Sequence, residues 1–240
     1  MKFQSSLRIE PGSILILPSW NSVNKINMAL DLLIFNTGFK KIGNLESSCI
    51  VPMAGSDAFG GDGLCSGLEV YQKNKIILVQ ARSDIYKGRG IEFVNELVAW
   101  IESLNVEKVL IITSADSGRK PDGAENWLVA VDCGFSGLCG QGITMLDVSV
   151  PSHLAVPIGN TLWPIGGGLT RWIYAKIKDS KINMGVLIAF CSEGDISNIA
   201  THLADKVYQL TRQESIKLFK FPPSWSVRDK FVKYQTELYG

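Results

Sequence analysis

The sequence predicts an α/β domain with one open sheet and helices on both of its faces. Short, almost continuous apolar runs, such as residues 109–112, alternate along the chain with segments of helical periodicity. Such runs are typical of strands buried on both faces, and the strand–helix–strand order places helices over the sheet. The 240 residues suffice for one complete core, and no linker, repeat or low-complexity tract divides them. We therefore expect one domain.

The first elements follow this alternation. Residues 14–17 predict a buried strand that Pro18 ends. Asn21 or Ser22 can cap the next helix, and Gly38 stands where a C′ glycine would end it. A second strand is expected over residues 40–45. The apolar positions of the intervening helix recur at helical spacing: Ile26, Leu30, Leu33 and Ile34.

The middle of the chain combines a glycine-rich segment with a hairpin. Residues 54–67 contain five glycines and are expected to form a mobile loop. Residues 69–71 and 76–80 flank a short polar stretch and predict a β-hairpin. A helix over residues 90–104 and a strand over residues 108–113 follow.

The second half contains a long stretch of weak pattern and then two clear elements. Residues 114–142 hold six glycines and little periodicity, so we expect irregular structure there. Residues 184–190 predict a buried strand, and residues 196–210 predict a helix. One stripe of that helix is apolar: Ile199, Leu203, Val207 and Leu210.

Composition and charge exclude several classes of protein. A hydrophobic share of 46% with 20% charged residues excludes a disordered chain. The net charge of +1 gives no general attraction to nucleic acids or anionic membranes. No apolar run approaches the roughly 18 residues of a membrane span, so we expect no membrane partner. Five scattered cysteines without metal-ligand spacing indicate reduced thiols, no metal site, and a cytosolic or nuclear location.

A glycine-rich turn before a helical pattern is one candidate binding site. Gly166, Gly167 and Gly168 precede Thr170, so their backbone N–H groups could bind an anion at a helix N-terminus. The segment lacks the spacing of a phosphate-binding P-loop and of a dinucleotide fingerprint. A purely structural role in a tight turn is the favoured interpretation.

Residues for acid–base chemistry are few and scattered. His153 is expected in a loop and His202 on a helix, and no nucleophile motif accompanies either. Glu193 and Asp195 precede the last long helix, where carboxylates complement the helix dipole. These residues do not assemble into a recognisable active site.

Short motifs spread in order over residues 14–226 resemble the proteasome assembly chaperone 2 family. The strongest stretch is residues 165–170, followed by residues 184–190 and 192–195. Earlier matches are Lys41-Ile42-Gly43, residues 49–55, Glu69-Val70-Tyr71, Gln80-Ala81-Arg82-Ser83, residues 97–101 and residues 109–113, and a late one is Phe221-Pro222-Pro223-Ser224-Trp225. Residues 114–142 do not follow the family pattern.

The resemblance implies a chaperone that is not an enzyme and needs no cofactor. Members of this family pair with proteasome assembly chaperone 1 as a heterodimer. The pair binds α-subunits of the 20S core particle, promotes formation of the α-ring, and prevents off-pathway ring dimerisation. The resemblance also implies a fold related to that of nucleoside phosphorylases, and a location in cytoplasm and nucleus.

The end of the sequence resembles the hydrophobic–tyrosine–any-residue tail of several proteasome-binding factors. By this resemblance, Leu238, Tyr239 and Gly240 would enter a pocket between α-subunits. The terminal carboxylate would pair with a lysine of that pocket, and Tyr239 would serve as a rigid anchor. We therefore divide the chain into a chaperone domain, residues 1–226, and a docking tail, residues 227–240. A coincidental ending is the alternative.

A second function from another class stays open. On the same scaffold, a phosphorylase-like or hydrolase-like enzyme would use Gly166 to Gly168 for an anion and His153 or Glu193 as a general base.

Overall fold

The structure is a computed structural model, and strands that alternate with helices account for most of it. It describes residues 1–5, 9–20, 25–119, 128–133, 144–145, 155–158, 161–164, 168–177, 182–191, 196–211, 214–216 and 218–225. The strands are β1 (Lys2–Ser5), β2 (Ile14–Pro18), β3 (Lys40–Glu46), β4 (Ala54–Ser56), β5 (Leu64–Ser66), β6 (Leu68–Lys73), β7 (Ile76–Ala81), β8 (Lys108–Ala115), β9 (Leu128–Cys133), β10 (Thr144–Met145), β11 (Ala155–Ile158), β12 (Thr161–Pro164) and β13 (Asn183–Phe190). The α-helices are α1 (Lys25–Thr37), α2 (Gly90–Ser103), α3 (Thr170–Ile177) and α4 (Ile196–Leu210).

One mixed sheet holds nine of these strands in the order β1-β3-β6-β7-β2-β8-β13-β9-β10. Its centre is parallel: β2 pairs with β7 on one side and β8 on the other, and β8 pairs with β13. Antiparallel pairs extend it outward from β7 to β1 and from β13 to β9, and β10 pairs in parallel with β9 at the other edge. The carboxyl ends of the central strands therefore lie at one edge, where loops lead into the helices.

Helices cover both faces because successive residues of each central strand point in opposite directions. Leu15 and Leu17 lie in the core beneath α2 and α3. Ile16, between them, lies in the core beneath α1 and α4. The predicted α/β class, with one open sheet and helices on both faces, is confirmed.

Most predicted elements appear where the pattern placed them. The first helix ends at Thr37, and Gly38 follows it with φ of +78° in the left-handed region. The hairpin turns at Asn74, also with positive φ, between β6 and β7. The cap residues Asn21 and Ser22 lie outside the described residues.

Two predictions of irregular structure are wrong in part. Residues 54–67 contain a small antiparallel pair, β4 with β5, on either side of the glycines. Within residues 114–142, β8 extends to Ala115, and β9 pairs antiparallel with the distant β13. The partner of β9, strand β13, comes from a remote part of the chain, so the local glycine content of residues 114–142 does not reveal that pairing.

Among the described residues, no helix is long and apolar enough to cross a membrane.

Candidate functional site

The residues predicted from the glycine-rich turn are only partly described. Gly168 adopts φ of +55°, which supports the structural role proposed for a glycine there. Thr170 begins α3 fully buried, and its Oγ1 has no hydrogen-bond partner. Gly166 and Gly167 lie outside the described residues.

Of the other predicted site residues, the structure describes only His202. His202 is exposed on α4, whereas His153, Glu193 and Asp195 lie outside the described residues. Leu238, Tyr239 and Gly240 lie outside them as well.

The structure instead assembles a buried ionic cluster that the sequence analysis missed. Arg82, directly after β7, contacts the carboxylates of both Asp31 on α1 and Glu69 on β6. The nitrogen–oxygen distances are 2.9 Å to Asp31 and 2.6 Å to Glu69. Lys41 on β3 approaches the other oxygen of Glu69 at 2.5 Å. The set is therefore charge-balanced, with two cations on two carboxylates.

Strand register explains why these side chains meet. Glu69 lies opposite Gln80 in the β6–β7 pair, and Lys41 lies opposite Tyr71 in the β3–β6 pair. Glu69 and Tyr71 are two residues apart, so they share the face that α1 covers. The Tyr71 hydroxyl donates to Glu69 at 3.1 Å. The sequence did contain a signal for this cluster: a glutamate, Glu69, within a buried strand and an arginine, Arg82, at the end of the next strand.

Burial and neighbouring charges shift the pKa values of these groups in different directions. Burial raises the pKa of Asp31, although the Arg82 guanidinium opposes this. Burial would also raise the pKa of Glu69, but hydrogen bonds from Lys41 and Arg82 outweigh it and lower that pKa. Burial and the Glu69 charge raise the pKa of Tyr71, which keeps the phenol protonated.

The β4–β5 segment covers this cluster with an aromatic side chain. Phe59 lies under the Arg82 guanidinium at 5.4 Å and meets Tyr71 edge-on, with ring centroids 6.0 Å apart. Asp57 Oδ1 accepts the Phe59 N–H at 2.7 Å, which fixes the turn. Residues 54–66 are thus part of the packed structure around the cluster.

The described part of the C-terminal region is attached beside this segment. The Asn36 side chain both donates to the Lys220 carbonyl and accepts the Lys220 N–H, at 2.9 Å and 2.7 Å. The Ser224 N–H donates to the Ala58 carbonyl at 3.3 Å. The rings of Phe221 and Trp225 stack with centroids 5.2 Å apart. Residues 218–225 therefore run between the end of α1 and the β4–β5 pair.

A cleft of about 540 Å³ opens beside Arg82 and Asp31. It lies just beyond the carboxyl ends of β2 and β7, which is where open α/β sheets bind ligands. Its lining comprises Ser19, Trp20, Asn27, Met28, Asp31, Met53, Gln80, Ala81, Arg82, Ser83 and Asp84.

A second polar group lies near the start of α2. The ligand atoms of Cys49, Glu92 and Glu96 are all within 4.8 Å of one another. Glu96 accepts a hydrogen bond from Ser47 at 2.6 Å and pairs with the Met1 amino group at 3.3 Å. Glu92 forms an ion pair with Arg89. Protein groups already satisfy these carboxylates, so the group has an ordinary structural explanation.

Among the described residues, seven of the eight exposed large apolar side chains fall into two groups on opposite sides of the sheet, and the eighth, Met53, lines the cleft. Val51, Tyr86, Ile91 and Trp172 belong to segments that contact one another around the starts of α2 and α3. A Cβ placed on Gly90 would lie 3.0 Å from the Leu169 side chain, which shows how closely these two helices approach. The second group belongs to the β4–β5 pair and residues 218–225: Leu64, Leu218 and Phe221.

Comparison with known families identifies the chain. The family model described as "PAC2 family" matches residues 24–217. The chain belongs to the PAC2 family. The resemblance found in the sequence is therefore confirmed.

Relatives in this family extend over most of the chain. A protein of Nematostella vectensis named proteasome assembly chaperone 2 is 27% identical over 220 residues, which cover 79% of this chain and 84% of the relative. The human protein of the same name is 26% identical over 199 residues, covering 77% and 75%. Pyrococcus furiosus PbaA, described as an archaeal homolog of proteasome-assembly chaperone, superposes with a TM-score of 0.67. That match covers 98% of this chain and 94% of PbaA at 16% identity, so it shows the shared fold.

Proposed function

We propose that this protein is a non-catalytic chaperone of 20S proteasome assembly. It pairs with proteasome assembly chaperone 1, binds α-subunits, promotes formation of the α-ring and prevents off-pathway ring dimerisation. The names of its relatives support the role in proteasome assembly. The observation that carries a binding function is the pair of exposed apolar surfaces on opposite sides of the sheet. We place this activity in cytoplasm and nucleus.

The apolar surface around α2 and α3 is assigned to the partner chaperone. Ile91 on the first turn of α2 is 61% exposed, and Trp172 on α3 is 39% exposed. Aromatic and large aliphatic side chains are typical anchors of protein interfaces, and burying them would stabilise a heterodimer. Isolated chains with this surface uncovered are expected to have low solubility.

The second surface and the C-terminal tail are assigned to the α-subunits. Leu64 and Leu218 are 73% and 81% exposed beside the point where residues 218–225 are attached to the body. Residues 227–240 continue from there, and we propose that Leu238, Tyr239 and Gly240 enter a pocket between α-subunits. Attachment of residues 218–225 would fix where the tail starts and so raise its effective concentration at that pocket.

The enzymatic alternative has less support. It relied on His153 and Glu193, which the structure does not describe, and on the turn at Gly168. His202 is exposed on α4, and the pattern offers it no nucleophile.

The test of the heterodimer is co-purification of the full chain with proteasome assembly chaperone 1. Ile91→Glu introduces a charge into the proposed interface at a helix start, where a carboxylate is favourable to the helix itself. Ala99→Glu adds the same charge to an exposed position later in the same helix and is the matched control. We expect Ile91→Glu to lose the partner and Ala99→Glu to retain it. Equal retention of the partner by both variants would overturn the assignment of this surface.

A further inference from the structure

The start of α1 places a lysine amine against a cysteine sulfur in the protein interior. Lys25 Nζ donates a hydrogen bond to Cys191 Sγ at 3.5 Å, and the two residues are 166 positions apart in the sequence. Lys25 is 4% exposed and Cys191 is 9% exposed. Lysine is almost never buried to this extent without a partner, and a thiol sulfur is one partner of this amine. The contact therefore brings together two side chains that can react with each other when the sulfur is oxidised.

The backbone holds both residues in this arrangement. Cys191 directly follows β13, and its N–H donates to the carbonyl of Ala115, at the end of β8, at 3.0 Å. Lys25 is the first residue of α1, and the next residue, Ile26, is 1% exposed in the core. The flexible stem of the lysine allows Nζ to move closer to the sulfur while both backbones stay in place.

The structure describes the side chains of three cysteines, and their neighbours differ in charge. Cys49 Sγ lies 3.8 Å from a carboxylate oxygen of Glu96. Burial and the charge of Glu69 raise the pKa of the Cys65 thiol. A cation beside a thiol favours its oxidation, whereas a neighbouring carboxylate disfavours it. Cys191, with an amine on its sulfur, is therefore the one of these three that is best placed to react.

We propose that dioxygen joins Lys25 Nζ and Cys191 Sγ through a single oxygen atom, as a reversible covalent bridge between α1 and the end of β13. The S–H bond of the cysteine, two N–H bonds of the lysine ammonium and the O–O bond break, and one S–O and one O–N bond form. The second oxygen atom leaves as water, and one proton is released. Sulfur and nitrogen together supply the four electrons that dioxygen takes up. Dioxygen is small and apolar, so it can reach a sulfur in the protein interior.

Such a bridge would fasten α1 to the centre of the sheet. Helix α1 carries Asp31 of the ionic cluster and Asn36, which holds Lys220. A link between residues 166 positions apart also restricts the unfolded chain, so the oxidised protein should be the more stable form. The pair lies outside the surfaces assigned to protein partners, so its test can fail without affecting the proposed chaperone function.

The test compares the full chain with and without dioxygen. The protein is purified anaerobically with a thiol reductant, the reductant is removed, and one half is then kept in air-saturated buffer. Intact-mass spectrometry follows the product, and tandem mass spectrometry of a digest locates the linked residues. Excess dithiothreitol is finally added to the oxidised sample to test whether the bridge is reversible.

We expect a gain of about 14 Da in air, from one oxygen gained and two hydrogens lost, and its reversal by dithiothreitol. The digest should contain a peptide pair linked between Lys25 and Cys191. The melting temperature should rise by about 5 °C in the bridged protein. Lys25→Met and Cys191→Ser should abolish the mass gain and the rise in melting temperature. Lys206→Met, which changes a half-exposed lysine of α4, and Cys49→Ser should retain both.

Three results would overturn the proposal. The first is no gain of about 14 Da in air, including the case in which only disulfides or sulfinic acids form. The second is a mass gain that Lys25→Met leaves unchanged. The third is a digest in which the link joins residues other than Lys25 and Cys191, a result that needs no variant and so remains decisive if a substitution prevents folding.

Discussion

Replacement of Arg82 by methionine tests whether the buried ionic cluster holds the fold together. Methionine fills a similar volume but leaves Asp31 and Glu69 without their shared cation. The Glu69 side chain is only 1% exposed and the Asp31 side chain 11%, so water compensates little. Removing one partner from a buried ion pair costs about 3–5 kcal/mol. Because Lys41 still neutralises Glu69, we expect the free energy of unfolding to fall by the lower end of that range, about 3 kcal/mol.

The assay is urea unfolding at neutral pH, followed by circular dichroism. Arg82→Met should lower the unfolding midpoint with little change in its denaturant slope. Arg89→Met is the matched control, because Arg89 forms its ion pair with Glu92 on the surface, and its effect should be much smaller. A triple variant that also carries Asp31→Asn and Glu69→Gln should recover part of the loss, since no buried charge is left unpaired. A loss from Arg82→Met no larger than that from Arg89→Met would refute this reasoning.

Three further predictions concern the cluster, a helix end and the C-terminal segment. Glu69→Gln should destabilise the fold most near neutral pH, because the pKa of Glu69 is lowered in the folded protein and the stabilisation by its carboxylate is complete above pH 4.5 and lost as the pH falls further. In urea unfolding, the difference in free energy of unfolding between the unsubstituted protein and the variant should therefore be smaller at about pH 3 than at pH 7. Gly38→Ala should cost about 1 kcal/mol, because its φ is +78° with open space around it, whereas Gly55→Ala, also with open space but without positive φ, should cost less in the same assay. Asn36→Ala should increase hydrogen exchange in residues 218–225 while leaving α2 unchanged, and equal protection in both proteins would contradict the role of the Asn36 bonds.

The layered fold could be predicted from sequence because its signals are local. The strand that contains Leu15 is marked by a short apolar run, and the helix that contains Leu30 is marked by apolar residues at helical spacing. Both patterns can be recognised within a short segment of the chain. Gly38 marks the end of that helix through a property of one residue, its tolerance of positive φ. The family motifs, including Glu69-Val70-Tyr71, likewise lie in short contiguous stretches.

The candidate sites could not be predicted in the same way because they depend on distant contacts. Asp31, Glu69 and Arg82 come from a helix, a strand and a loop, and only the register of β6 on β7 places them together. The β4–β5 pair was missed for a related reason: its glycines suggested a loop, whereas Phe59 between the strands packs on Tyr71 and Arg82. Partners that are remote in sequence override local composition.

The most direct test of the chaperone function is recovery of α-subunits with the intact pair of chaperones. The full chain and proteasome assembly chaperone 1 are co-expressed and used to capture 20S precursors from a cytosolic extract, with α-subunits quantified by mass spectrometry. Parallel samples carry Tyr239→Ala or lack Leu238, Tyr239 and Gly240, and Tyr234→Ala, the same substitution outside the three proposed pocket residues, is the matched control. We predict that the intact pair and the Tyr234→Ala control retain α-subunits and that the other two variants are depleted of them. Equal recovery with and without the tail would contradict the tail's role, and no recovery of α-subunits by the intact pair would contradict the proposed function itself.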